Sequence, residues 1–215
     1  MVRGTPRTYH RVMMVSVPGF LPSTRGLHFA NRFASGPLLH LGPFATNLFG
    51  LADASGGLCG GMCWYVRERF DAGLAIPELR EAPGNGTPLF ATLLNRQLKS
   101  LDWFRTPIDF WWTGAFGADR TADRARDLAW PRIHDRVTSG KLAMVGLVRQ
   151  QGLDPRALQR SHQVLGFGCD TTGDTHTLRI YDPNWPDRDD ITIVLEPTAI
   201  RQSTGEPLFG ILSLD

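Results

Sequence analysis

The feature that most constrains this chain is a change of period near Gly140. Before it, apolar residues recur three and four positions apart; after it they come in short runs cut by Gly, Pro, Asp and Asn. The first spacing belongs to helices with one buried face, and the second to strands joined by tight turns. Helices followed by strands at hairpin spacing predict an α+β fold with a largely antiparallel sheet.

On the helical side, Met62, Cys63, Val66 and Phe70 mark a helix that follows Ser55 and two glycines and stops at Gly73. Leu89, Leu93, Leu94, Leu98 and Leu101 predict a second helix from about Pro88 to Trp103. A third is expected from about Thr121 through Arg136, bent at Pro131 and ended by Gly140. On the sheet side, strands are expected at Leu142–Val148, Gln163–Gly168, Thr177–Tyr181, Ile191–Leu195 and Phe209–Leu214.

Residues 1–50 read differently, as an irregular basic apron. Val12–Val17 is its one strand-like piece, and Pro18, Pro22, Gly26, Pro37 and Pro43 interrupt the rest. The expected plan is one domain over residues 1–215: the apron, a helical lobe over 51–140 and an antiparallel sheet lobe over 141–215. Six Trp and twelve Phe in a chain that is 42% hydrophobic and 20% charged supply ample apolar surface, which excludes a disordered chain. The longest apolar runs fall well short of the roughly 20 residues a membrane span needs, so no membrane partner is expected. The N-terminus does not read as a secretory signal, and three Cys are an odd number for a disulfide scaffold, so a cytoplasmic location is expected.

The near-neutral total of +2 hides a step. The first 52 residues carry Arg3, Arg7, Arg11, Arg25 and Arg32 and no carboxylate, whereas the remainder carries 18 basic and 21 acidic groups. The arginines are spaced among Gly, Pro, Phe and Leu, unlike a solvated basic arm. Nucleic acid is therefore not the expected partner. An acidic carrier domain or a carboxylate-bearing substrate fits this surface better.

Cys59 is the first residue that suggests chemistry. It opens the first helix in GLCGGMCW, where unpaired N–H groups and the positive end of the helix dipole favour thiolate over thiol. The small residues around it would let a substrate carbonyl approach, so the backbone at Gly60 is a candidate oxyanion donor. A thiol nucleophile also needs a base and an orienting partner. His162, at the mouth of the strand in SHQVLGFGCD, and Asp182, at the end of the next strand in LRIYDPNWPD, supply them. An antiparallel hairpin turning at TTGDTH would set the start of one strand beside the end of the other. His10, His28 and His40 in the apron, His134 on the third helix and His176 in the hairpin turn read as surface or packing residues.

A Cys at a helix start, followed by His and Asp on consecutive antiparallel strands, resembles the papain-like cysteine peptidase superfamily. The similarity is greatest to its compact branch of double-glycine leader peptidases and related acyltransferases. GLCGGMCW, SGKLAMVGLV, SHQVLGFGCD and LRIYDPNWP carry the resemblance, over residues 53–196. It implies a papain-like fold, with the nucleophile helix of an N-terminal helical part packed on a C-terminal antiparallel sheet. It also implies Cys59 as nucleophile, His162 as general base and acid, and Asp182 as orienter. The expected function is that of a cysteine-dependent hydrolase or acyltransferase. It would work through an acyl-thioester on a small-molecule, peptide, amide or thioester substrate, free or carrier-bound, in a biosynthetic or tailoring role. No cofactor or metal is expected.

Other assignments stay open at this level. CGGMCW also resembles the papain string Cys-Gly-Ser-Cys-Trp, which makes Cys63 a rival nucleophile. Cys59 is preferred because Cys63 lies one turn into the helix, away from free N–H groups. The family's oxyanion Gln, six residues before the Cys, is here Asp53, so Asn47, Ser55 or backbone groups would have to serve. Asn184 is an alternative orienter. Trp64, Trp111, Trp112 and Trp185 are candidate walls of an apolar cleft. Cys59, Cys63, Cys169 and a His could form a zinc site, but the paired spacing typical of such sites is missing. The acidic turn DPNWPDRDD reads as solvated. A non-catalytic papain-fold module that binds a peptide or carrier partner is the alternative function.

Overall fold

In the computed structural model, which describes residues 14–34, 57–100, 122–150 and 162–215, helices dominate as far as Thr138 and strands thereafter. A short helix α1 (Pro22–Arg25) is followed by α2 (Cys59–Asp71), α3 (Pro88–Ser100) and α4 (Trp130–Thr138). Thr87 caps α3, its hydroxyl accepting the Phe90 N–H at 3.3 Å, and Pro88 supplies a φ already suited to the first turn. Phe90, Leu93, Leu94, Gln97 and Ser100 then form its buried stripe. Gly73, at φ +67°, ends α2: its N–H bonds back to Phe70 and the Leu74 N–H to Arg69.

The bend expected at Pro131 takes the form of a π-helical turn, Ala125–Ala129, directly before α4. Proline lacks an N–H and its ring crowds the carbonyl four residues back. The wider turn accommodates this, with the Trp130 N–H reaching the Ala125 carbonyl five residues back.

Among the described residues, seven strands form one sheet: β1 (Val15–Ser16), β2 (Ala143–Val148), β3 (His162–Thr172), β4 (Thr175–Tyr181), β5 (Thr192–Leu195), β6 (Ile200–Gln202) and β7 (Gly210–Ser213). The order β6-β5-β4-β3-β2-β7 is antiparallel throughout, with β1 on β3. β3 pairs with β2 through His162–Gly166 and with β1 at Gly168 and Cys169. All of β2 and the first eight residues of β3 are buried, as expected where both faces of a sheet are covered. α2 packs against β3, and α4 against β1, β2, β3 and β7. The chain is thus α+β, with the periods changing where the sequence predicts.

Several expectations need correction. β3 extends four residues beyond Gly168, so the hairpin turn tightens around Gly173 (φ +59°). His176 therefore lies on β4, in register with Thr171 and stacked on Trp130 at 4.6 Å, and not in the turn. The three-residue strand β6 was not expected. Residues 14–34 are more than an irregular apron, and the strand-like piece expected at Val12–Val17 is there as β1. Val17, Phe20, Leu27, Phe29 and Phe33 are core residues, and β1 joins the sheet. The acidic turn is not merely solvated: Asp187 contacts His28 Nδ1 at 2.5 Å and Arg80 at 2.6 Å, while Asp189 accepts from the N–H and hydroxyl of Ser23. Among the described residues, no helix is long and apolar enough to cross a membrane.

Candidate active site

The β3–β4 hairpin brings His162 and Asp182 together as its register requires. Leu165 faces Tyr181, which sets Asp182 level with Val164, and His162, two residues along on the same face as Val164, reaches it diagonally. Between Gly166 and Gly168 the register slips by one residue, a bulge at Phe167, whose ring packs on Phe20. His162 Nε2 lies 2.6 Å from Asp182 Oδ1, and both side chains are buried. With Nε2 engaged, Nδ1 is the ring nitrogen left for a second partner.

Cys59, the first residue of α2, is buried and interacts electrostatically with His162. Burial pushes the thiol pKa up. The charge of His162, with backbone groups of Gln163 and Gly60, outweighs burial and brings the pKa below the ordinary thiol value. For His162, burial opposes charge, but Asp182 and Cys59 prevail and raise it to about 10. Burial would raise Asp182 as well, yet the facing imidazolium and its hydrogen bonds hold it below the usual carboxyl value. Each group therefore favours the ionised form of its neighbour.

Both carboxylate oxygens of Asp182 are engaged. Oδ1 accepts from His162 and from the Asn184 N–H at 2.9 Å, and Oδ2 accepts from Gln202 Nε2 at 2.8 Å. Asn184 thus supports Asp182 through its backbone and is not the orienter; its side-chain oxygen accepts from Asn31. Trp185 sits at the rim, exposed, with its N–H bonded to the Asp182 carbonyl and its ring N–H 3.4 Å from Glu206. Trp64 packs against the core beneath the Arg67 guanidinium. Asn47, Asp53, Ser55, Trp111 and Trp112 lie outside the described residues.

The rival thiol is placed differently. Cys63 is entirely buried and donates to the Gln163 carbonyl at 3.3 Å. Burial pushes its pKa well above the ordinary value, and the neighbouring charges of Cys59 and Asp182 push the same way. Cys169 lies farther along β3, opposite Val15, and burial and Asp170 raise it to about 11. Among the described residues, no group of three or more His, Cys, Asp or Glu is arranged to hold a metal ion.

The glycines beside Cys59 serve packing rather than clearance for a substrate. A Cβ on Gly60 would come within 2.4 Å of Ser100 Oγ and 2.6 Å of Gln163 Oε1. One on Gly61 would lie 2.1 Å from the Leu93 carbonyl oxygen of α3. With no capping side chain of its own, the start of α2 is held by distant ones. Asn31 accepts the Leu58 N–H at 2.6 Å and Gln97 accepts the Gly61 N–H at 2.8 Å. Gly57, at φ +83°, makes the turn that brings Leu58 to Asn31.

Asn31, Gln97, Gln163 and Gln202 were not singled out by the motifs. Two of them did carry a signal: Gln97 interrupts the apolar stripe of α3, and Gln163 stands in the otherwise apolar run HQVLGFG. A polar residue on a buried face needs a partner. No protein-family model, no curated protein and no solved structure matches this chain.

Proposed function

We propose that this chain is a cysteine-dependent hydrolase or acyltransferase of papain-like type, with Cys59 as nucleophile, His162 as acid and base, and Asp182 as orienter. One observation carries the reading: a buried thiol at a helix start interacts with a histidine whose Nε2 is held at 2.6 Å by a buried carboxylate. The order Cys59, His162, Asp182 along the chain and the packing of α2 on β3 support the reading.

In the proposed reaction, the Cys59 thiolate adds to an acyl carbonyl carbon. The bond to the leaving group breaks, the leaving group takes the proton from His162 Nδ1, and a thioester remains on Cys59. Water or an amine then adds to the thioester, giving its proton to His162, and the C–S bond breaks to restore the thiolate. Asp182 holds the ring and its Nε2–H throughout. Peptides, amides and thioesters, free or carrier-bound, are the substrate classes that fit this chemistry.

Intact-mass trapping with candidate thioesters and peptides tests the proposal. An adduct of acyl mass is expected on the wild-type chain and none on Cys59→Ala. An equal adduct on both would end the assignment. Failure of every acyl donor to label the wild type would favour the non-catalytic binding module.

A further inference from the structure

The site continues beyond its three central residues. Gln202 on β6 is buried, and its amide has a partner at each end: Nε2 donates to Asp182 Oδ2 at 2.8 Å and Oε1 accepts from Arg149 Nη2 at 2.6 Å. Arg149 directly follows β2, the strand that pairs with β3 at His162. It also reaches the Pro207 carbonyl at 3.1 Å and Glu206 Oε2 at 3.4 Å. Glu206 in turn accepts from Thr204 and Trp185.

A glutamine amide fits between a guanidinium and a carboxylate in one orientation only. Arginine offers donors and no acceptor, so it must face the amide oxygen. An ionised carboxylate offers only acceptors, so it must face the NH2. Placing Arg149 on one side therefore turns the donor of Gln202 toward Asp182, an arrangement that suits the ionised carboxylate. Such a carboxylate keeps the His162 proton on Nε2 and leaves Nδ1 for the thiol.

We infer that Gln202 and Arg149 are positioning residues for the Cys59–His162–Asp182 site, with Glu206 setting how much of the Arg149 charge the site experiences. The inference rests on the reading of Cys59 as nucleophile. The titratable groups that interact with the thiol among the described residues are His162 on β3, Cys63 one turn along α2 and Arg149 after β2, with Asp182 bonded to His162. Of these, only Arg149 carries a counter-ion outside the site. Its influence can thus be raised or lowered without touching the proposed catalytic residues.

The experiment measures iodoacetamide alkylation of Cys59 by peptide mass, from about pH 4 to about pH 10, on the full chain and on folded variants. Arg149→Met removes a positive charge and leaves Glu206 unneutralised, so protons are held more tightly. The acidic limb of the profile should move up by about half a pH unit to one unit. Glu206→Gln leaves the Arg149 charge unopposed and should move the limb down. Arg149→Lys should restore most of the wild-type profile, and Gln202→Leu should move the limb up, as Asp182 loses a donor.

Opposite shifts from Arg149→Met and Glu206→Gln support the inference, because general loosening would move both the same way. Shifts of the same sign, or an unmoved limb in Arg149→Met and Gln202→Leu beside a normal wild-type profile, would overturn it alone. A wild-type Cys59 with no thiolate limb below the ordinary thiol range would overturn the reading of the site and this inference together. Should Arg149→Met fail to fold, Glu206→Gln and Arg149→Lys decide: an unmoved Glu206→Gln limb would overturn the inference.

Discussion

The two halves of the site are built by different means. On the sheet side, His162, Asp182 and Gln202 stand on or beside regular strands, and hydrogen-bond register sets their separations. On the helix side, Cys59 begins a helix without a cap of its own, held by side chains from Asn31 and Gln97 and by glycines that let α3 come close. Strand geometry repeats every two residues and is local, so the pairing of His162 with Asp182 could be read from spacing alone. The helix half depends on partners tens of residues away, and spacing says nothing of them.

This contrast predicts two kinds of failure. Substitutions on the sheet side should alter charge and protonation, whereas those on the helix side should alter stability through packing. The largest effect is expected from Asp182→Asn, which leaves a buried imidazolium without its carboxylate and should destabilise the fold by about 3 kcal/mol near neutral pH. That difference should depend on pH. The Asp182 carboxyl is depressed in the folded state, so its contribution is present above the ordinary carboxyl value of 3.8 and fades as pH falls through the folded value. The His162 pKa is raised from 6.5 to about 10, so its contribution is complete below 6.5 and is lost as pH rises through about 10. Melting temperatures of wild type and Asp182→Asn should therefore converge at both extremes. A gap that stays constant across the whole pH range would break the comparison, making Asp182 a packing residue.

A smaller effect is expected from Gly61→Ala. Its new Cβ would meet a backbone oxygen, which cannot swing away like a side chain, so α2 and α3 must separate at a cost of about 2 kcal/mol. Denaturant unfolding measures this cost. The thiol's pH profile should stay close to wild type, since no charge is changed. A shifted profile with unchanged stability would reverse the distinction between the two halves.

The change from helical to strand period near Gly140 and six of the seven described strands, β1 within the strand-like Val12–Val17 included, follow from local apolar pattern. So does the meeting of His162 with Asp182, because a hairpin permits little else. β6 escaped because three residues are too few for alternation to register. The extension of β3 to Thr172 escaped because a polar strand end looks like a turn. Residues 14–34 misled because proline and glycine broke every period, although Phe20, Leu27, Phe29 and Phe33 were present to be buried. Asn31 and Arg149 had no local signal: an asparagine in a loop and an arginine after a strand are ordinary until the fold brings them to Leu58 and Gln202.

The central claim is that Cys59, alone among the described thiols, is held as a thiolate by His162 and Asp182. Competitive alkylation of the three cysteines with iodoacetamide at mildly acidic pH, read by peptide mass, tests it most directly. The account predicts rapid modification of Cys59 with Cys63 and Cys169 left almost untouched, and loss of that preference in Asp182→Asn. Three thiols reacting equally slowly, or a fast Cys59 unaffected by Asp182→Asn, would contradict it.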